Sequence, residues 1–386
     1  MATNNNDKTL NVPPLRFPEF SGEWEEEQLD SIATLSKGIG ISKEQLSEDG
    51  EPCILYGELY TKYKSEIIKQ VESKTDIDCS KLKRSKANDV IIPCSGETAV
   101  DIATARCVPF DNILLGGDLN IISLHKYDGA FMSYQLNGKR KYDIARVAQG
   151  VSVVHLYGEH LKAIKTYNPS LPEQQKIAKL LSLIDERIAT QNKIIEDLKK
   201  LKSAISLKML HSDSWKQFKI KDIASIGRGR VISSVEISQQ DNPLYPVYSS
   251  QTSNEGIMGY LDNFMFEGEY INWTTDGANA GTVFYRDGKF NCTNVCGLLK
   301  LGDEFDTYFV SLVLAEATKK YVSTNLANPK LMNNTMGSIQ IRLPKLKEQK
   351  RISIAFRKLR ELLEVHNSLL TEYSKLKQYL LSQMFI

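Results

Sequence analysis

The residue groups that could carry covalent chemistry are few in this chain, and none has its full complement. Asn242-Pro243-Leu244-Tyr245 differs from the Asn/Asp-Pro-Pro-Tyr tetrad that clamps a flipped base for amino methylation, because its second proline is missing. No glycine-rich strand-turn-helix precedes it to bind a methyl donor, and Gly116-Gly117-Asp118 is too isolated to serve. No GxxxxGK[ST] loop offers a phosphate cradle. Glu348-Gln349-Lys350 has a nuclease-like spacing, but it opens a helix and its repeat counterpart is Glu173-Gln174-Gln175, so an architectural role is expected. Cys292 and Cys296 form CxxxC without companion ligands, and the six cysteines follow neither a disulfide nor a zinc spacing.

What remains is chemistry suited to binding. Lys81, Lys83, Arg84 and Lys86 cluster within six residues, followed later by Lys139, Arg140 and Lys141. A second group holds Lys216, Lys219, Lys221, Arg228 and Arg230. Such cations, near turns rich in Ser, Thr, Asn and Asp, suit grips on a phosphate backbone around loops that read base edges. The candidate reading loop is WTTDGANAG (273–281), with Thr274, Thr275, Asp276 and Asn279 as donors and acceptors and small residues that let backbone approach closely. By strand order its counterpart is PCSGET (93–98), offering Ser95, Glu97 and Thr98. The net charge of +2, from 49 basic and 47 acidic residues, decides nothing by itself.

These groups must be positioned by a repeated frame. From Leu171 to Leu210 the apolar residues Ile177, Leu181, Ile184, Ile188, Ile195, Leu198, Ile205 and Met209 step by three and four, with Gln191 and Lys202 filling the two remaining places. A 3.5-residue period without internal Gly or Pro predicts a long helix with a coiled-coil seam, roughly 48 Å long at about 1.5 Å per residue. Pro172 and the Glu-Gln pair after it suit a first helical turn. From Pro344 onward the pattern returns at a constant offset of 175 (348 minus 173), down to Glu348-Gln349, the Lys-Leu-Lys triplet and both polar seam places, His366 and Lys377. At the same offset His155 falls on Lys330, which marks both as candidate phosphate contacts. Trp24 and Trp215 begin the two copies at an offset of 191, so the first copy carries about 16 more residues.

The expected architecture is α+β: two pseudo-repeated recognition domains joined by two long antiparallel coiled-coil helices. The divisions are an N-terminal arm (1–20), a first domain (21–168), a central helix (169–211), a second domain (212–343) and a C-terminal helix (344–386). Within the first domain a helix is expected over Glu23–Lys37, strands near 53–56, 90–93, 103–108 and 119–124, and helices over 131–147. In the second, strands are expected near 245–249, 269–273, 282–285 and 295–301, with a helix over 307–324. Antiparallel pairing would set Gln191 near Lys377 and Lys202 near His366. No run approaches 18 apolar residues and no signal pattern opens the chain, so a cytoplasmic protein is expected.

This pattern resembles the specificity (S) subunit of Type I restriction-modification systems. The resemblance rests on LPEQQKIAKLLSLIDERI with LKKLKSAISLKML, on its C-terminal echo, on LRFPEF before Trp24, and on WTTDGANAGTVF with CTNVCGLLK. It covers almost the whole chain, though the second helix opens with PKLKEQKR in place of the usual Pro-Glu-Gln. The resemblance implies two target recognition domains, each reading half of a split asymmetric site in double-stranded DNA. It implies no catalysis and no cofactor in this chain. S-adenosylmethionine, ATP and Mg would belong to partners: two methylation subunits, and restriction subunits held through them. No membrane is implied. Two alternatives remain open: a stand-alone DNA methyltransferase, which S-adenosylmethionine binding would reveal, and a two-module coiled-coil scaffold binding protein or sugar, which duplex selection would separate.

Overall fold

A computed structural model describes residues 10–150, 153–323 and 328–386. The start of the arm and parts of the two stretches matched at His155 and Lys330 lie outside the described residues. The chain divides into two compact units. One comprises the described residues up to Lys193 together with Asn367–Ile386, the other Ile194–His366. Among the described residues no helix is long and apolar enough to cross a membrane.

In the first unit, Glu25–Gln28 pairs antiparallel with Lys165–Asn168, a single turn follows at Leu29–Ile32, and Ala33–Lys37 enters the main sheet. The helix expected over Glu23–Lys37 is therefore a strand, a turn and a strand. Its apparent helical spacing has two sources: Leu29 and Ile32 face inward from one turn, whereas Ala33 and Leu35 alternate along a strand beside Leu119–Leu124. Tertiary pairing overrides the local pattern. The main sheet runs Ala33–Lys37, Leu119–Leu124, Asp89–Pro93, Arg106–Val108, all antiparallel. A smaller sheet places Glu51–Ile54 parallel to Leu114–Leu115. Helices Gly129–Asn137 and Lys141–Val147 close the core of Val90, Ile92, Ile122, Met132, Leu136 and Ile144.

The second unit repeats the main sheet strand for strand. Lys216–Lys219 pairs with Gln340–Leu343. The main sheet runs Ala224–Arg228, Cys296–Leu301, Tyr270–Thr274, Val283–Arg286, and Tyr245–Tyr248 lies parallel to Lys289–Cys292 in the smaller sheet. The α-helix over the core ends at Ala317 and tightens into a 3-10 turn over Thr318–Lys320, short of the expected 324, with the buried Thr318 hydroxyl donating to the Gly281 carbonyl (2.8 Å). Trp273 is fully buried, and its indole donates to the Leu331 carbonyl at 2.9 Å. Gly297 lies beneath that ring: a Cβ there would sit 2.1–2.3 Å from three ring carbons. Gly297→Ala is expected to destabilise the second unit by about 1–3 kcal/mol or more through overpacking, read as a lower urea midpoint. An unchanged midpoint would mean the ring shifts freely despite its hydrogen bond.

The long helices are Leu171–Met209 and Leu346–Gln383. In the first unit Ile177, Leu181 and Ile184 pack with Leu380, Met384 and Phe385; in the second, Ile205, Met209 and Leu210 pack with Ile352 and Phe356. The start of each helix thus meets the end of the other, and they run antiparallel. The polar layer differs from expectation. Lys377 pairs with Asp185 and Glu66, both at 2.6 Å, instead of sitting at Gln191, and Lys202 is exposed. The described arm is held by Arg16, whose guanidinium grips the buried Glu173 carboxylate at 2.7 Å through Nε and Nη2.

Candidate nucleic-acid interface

In each unit the strand at the heart of the main sheet runs out into a short loop, and a later segment crosses that loop. After Asp89–Pro93, Ser95 and Gly96 pair with His155 and Val154, and the Leu156 amide donates to the Cys94 carbonyl (2.9 Å). After Tyr270–Thr274, Asp276 bridges Lys330, and the Leu331 amide donates to the Thr275 carbonyl (2.9 Å). His155 and Lys330 therefore occupy one place in the repeated frame, as the offset of 175 predicts. Side chains meet there too: Ser95 Oγ lies 3.4 Å from His155 Nδ1, and Lys330 Nζ lies 3.9 Å from Asp276 Oδ1. Arg228 joins the second cluster, donating to Asn333 Oδ1 at 3.0 Å and touching Met332.

Several expected readers are already engaged. Thr274 and Thr275 are buried, and the Thr275 hydroxyl lies 3.0 Å from the Val295 carbonyl and 2.7 Å from the Asp276 carboxylate. They hold the loop and present nothing to a ligand. Asn279 spends an amide hydrogen on the Ser250 carbonyl (3.2 Å). Thr98 caps the Ala99–Ile102 turn by accepting from the Asp101 amide, whereas Glu97 is exposed. Arg230 is ion-paired with Glu236 and bridges Thr293 instead of joining Arg228.

Lys83, Arg84 and Lys86 come together in a cleft of about 330 Å³ with Thr34, Ser36 and His125, and Lys81 lies outside it. Arg84 is tied to Glu51 at 2.5 and 2.9 Å, which draws the Glu51 carboxyl below its usual range. Lys83 and Lys86 are the other two cations of this group that line the cleft. A larger cleft of about 690 Å³ opens beside Ser95, Gly96 and Glu97, walled by Tyr56, Tyr60 and Arg106. Periodicity gives no signal for Arg106 or for Arg286, which sits two places along the matching outer strand; the one available hint is a charge at the end of each strand.

The groups considered for catalysis sit in structural roles. Tyr245 enters a strand and packs edge-on against Phe264, with ring centroids 5.1 Å apart. Burial pushes the thiols up, Cys94 to about 11 and Cys107 to about 12. Among the described residues no group of three His, Cys, Asp or Glu is placed to hold a metal.

A family model described as the Type I restriction modification DNA specificity domain matches twice, over residues 21–200 and 212–373. An N-terminal piece from Mycoplasma pneumoniae, named as a type I specificity subunit, is 46% identical over 140 residues, 36% of this chain and 74% of the relative. The specificity subunit of the type I restriction enzyme MpnII, from the same organism, is 42% identical over 147 residues, 37% of this chain and 44% of the relative. Among solved structures, the S subunit of a Type I restriction-modification system from M. genitalium aligns over 97% of this chain and 99% of its own, at a TM-score of 0.72 and 19% identity. A chain from a study of type I complex assembly aligns over 96% and 99%, at a TM-score of 0.53 and 13% identity. With both copies of the domain matched and the repeated frame present in each unit, this chain belongs to the family of Type I restriction-modification specificity subunits.

Proposed function

We propose that this chain is the DNA-reading subunit of a Type I restriction-modification complex, each unit recognising one half of a split site in double-stranded DNA. The observation that carries this is the shared bridge: one strand, one loop and one crossing segment recur in both units, but Ser95 with His155 in the first becomes Asp276 with Lys330 in the second. A constant frame presenting different donors and acceptors suits two readers of two different sequences. The half-sites should therefore differ, giving an asymmetric site. The chain itself performs no catalysis. Methylation subunits, two in number, dock on it and bring restriction subunits, and those partners bind S-adenosylmethionine, ATP and Mg. The complex works in the cytoplasm.

Selection from a randomised duplex library, using the full chain with its methylation partner, tests this. The expected outcome is an enriched pair of unlike half-sites with unread bases between them. Enrichment of a palindrome, or of nothing, would overturn the reading. The cleft cations add a second expectation. Replacing Lys83 and Lys86 by Ala should weaken every sequence alike and reduce the salt slope by about one per lost phosphate contact. A shift in the preferred sequence would mean that these lysines read bases.

A further inference from the structure

The second unit carries a polar segment that the recognition loop holds but that the frame does not need. Strand Tyr245–Tyr248 runs into Ser249–Gly256, where Thr252, Ser253, Asn254 and Glu255 are exposed. Asn254 and Glu255 both adopt left-handed backbone, with φ of 48° and 51°. Glycine would take that conformation without strain, and non-glycine residues persist in it only where the surroundings impose it. The surroundings here are specific. Arg286 is only 4% exposed; its guanidinium lies 3.6 Å from the Tyr248 ring centre and 4.4 Å from that of Phe284. It donates to the Glu255 carbonyl at 2.6 Å. The Ser249 amide donates to the Gly256 carbonyl (2.8 Å), and Asn279 ties the Ser250 carbonyl to the recognition loop.

The first unit has a comparable device at another register of the outer strand: Arg106 lies opposite Ile91, whereas Arg286 lies opposite Tyr270, the match of Asp89. After Glu51–Ile54, the counterpart strand, Arg106 is 9% exposed and donates to the Tyr63 carbonyl at 2.9 Å. The Tyr60 hydroxyl donates to the Ser95 carbonyl at 3.1 Å, fastening this segment to the other recognition loop. In both units a buried arginine from the outer strand of the main sheet grips main-chain carbonyls. Pins on the main chain leave the side chains of the segment free to vary, as a reading loop requires.

We infer that Thr252–Glu255 is a specificity-determining segment of the second unit, reading bases beside Asp276, and that Arg286 and Asn279 are the positioning residues that hold it there. This rests on the DNA-reading function proposed above. The chemistry fits base edges: an Asn side chain matches adenine through one donor and one acceptor, and a Glu carboxylate accepts from the cytosine amino group. Asn279 thereby takes a supporting role instead of the reading role its residue type suggests.

The test uses the full chain with its methylation partner and the randomised duplex library. The double variant Asn254→Gly with Glu255→Gly removes two side chains and relieves the left-handed backbone, so the fold is retained. It should lose at least about tenfold preference at one or two positions of one half-site, with the other half-site and the salt slope unchanged. Arg286→Lys keeps the charge but loses the planar fork, and should broaden the same half-site with every reading side chain present. A purely structural role for Arg286 would lower the melting temperature without that half-site bias. If the wild type selects a split site and the double-glycine variant selects the same site with equal preference, the inference is overturned and the proposed function stands. If the wild type selects no split site, both fall.

Discussion

Replacing Lys377 by Met is expected to destabilise the first unit by about 3–5 kcal/mol at neutral pH, the cost of leaving buried acids without their cation. Lys377 Nζ lies 2.6 Å from Glu66 Oε2 and 2.6 Å from Asp185 Oδ1, and both acids are buried. The Tyr134 hydroxyl donates to Asp185 at 2.6 Å and Ser65 at 3.1 Å, so Asp185 keeps partners in the variant whereas Glu66 loses its close one. Burial holds the Glu66 carboxyl above the usual range, with Lys377 pulling it down and the Asp185 charge pushing it up. A carboxyl raised in the folded state binds its proton more tightly there than in the unfolded chain. Its contribution is therefore fully present below the unfolded value and is lost as pH rises through the folded one. Removing Lys377 raises it further, so the deficit against wild type should shrink as pH falls toward the glutamate range near about 4.3. Urea unfolding at several pH values reads this directly. A deficit that stayed constant would place the loss in helix packing, not in the charge of Glu66.

Much of this frame was legible in the sequence because it repeats. The central helix, the strand Leu119–Leu124, and the shared place of His155 and Lys330 follow from periodicity and offset alone. Where expectation failed, the deciding partner lay far away in sequence. Ala33–Lys37 is a strand because Leu119–Leu124 pairs with it. Lys377 sits six residues from its expected helical neighbour because Glu66, from the recognition domain, shares its charge. Thr274 and Thr275 have the residue types of base readers, yet both are buried and the Thr275 hydroxyl is held by the Val295 carbonyl, while the half-buried Asn279 spends one amide hydrogen on the Ser250 carbonyl. Residue type names the donors a loop owns but not those it has left. Arg286 was invisible for the converse reason: its work is done on backbone, and backbone carbonyls leave no trace in sequence.

The Glu-Gln pair that opens both long helices makes a sharper case, because its two members act differently. Glutamate at a first turn suits the helix dipole, and that reading treats Glu173 and Glu348 alike. Only Glu173 is buried against an arginine; Glu348 is half-exposed. The glutamine is the invariant part of the device. Gln174 Nε2 donates to the Pro169 carbonyl (2.8 Å) and its Oε1 accepts from the Asp128 amide (2.9 Å). Gln349 repeats both bonds, to Pro344 at 2.8 Å and from Asp306 at 2.9 Å. Asp128 and Asp306 in turn cap the helices Gly129–Asn137 and Thr307–Ala317. Each buried amide thus locks the start of a long helix to the start of its own domain's helix. Gln174→Ala and Gln349→Ala should each orphan one donor and one acceptor, at about 1–3 kcal/mol per group, and the two losses should be similar. Glutamate is the sharper substitution, since its carboxylate can accept from the aspartate amide but only repel the proline carbonyl. Protonated, it regains a donor, so Gln174→Glu should be weak at neutral pH and recover in acid, whereas the alanine variant should show no such recovery relative to wild type. Urea midpoints for the three variants across pH check this. If one alanine variant is costly and its repeat counterpart is neutral, the two bridges are not the same device.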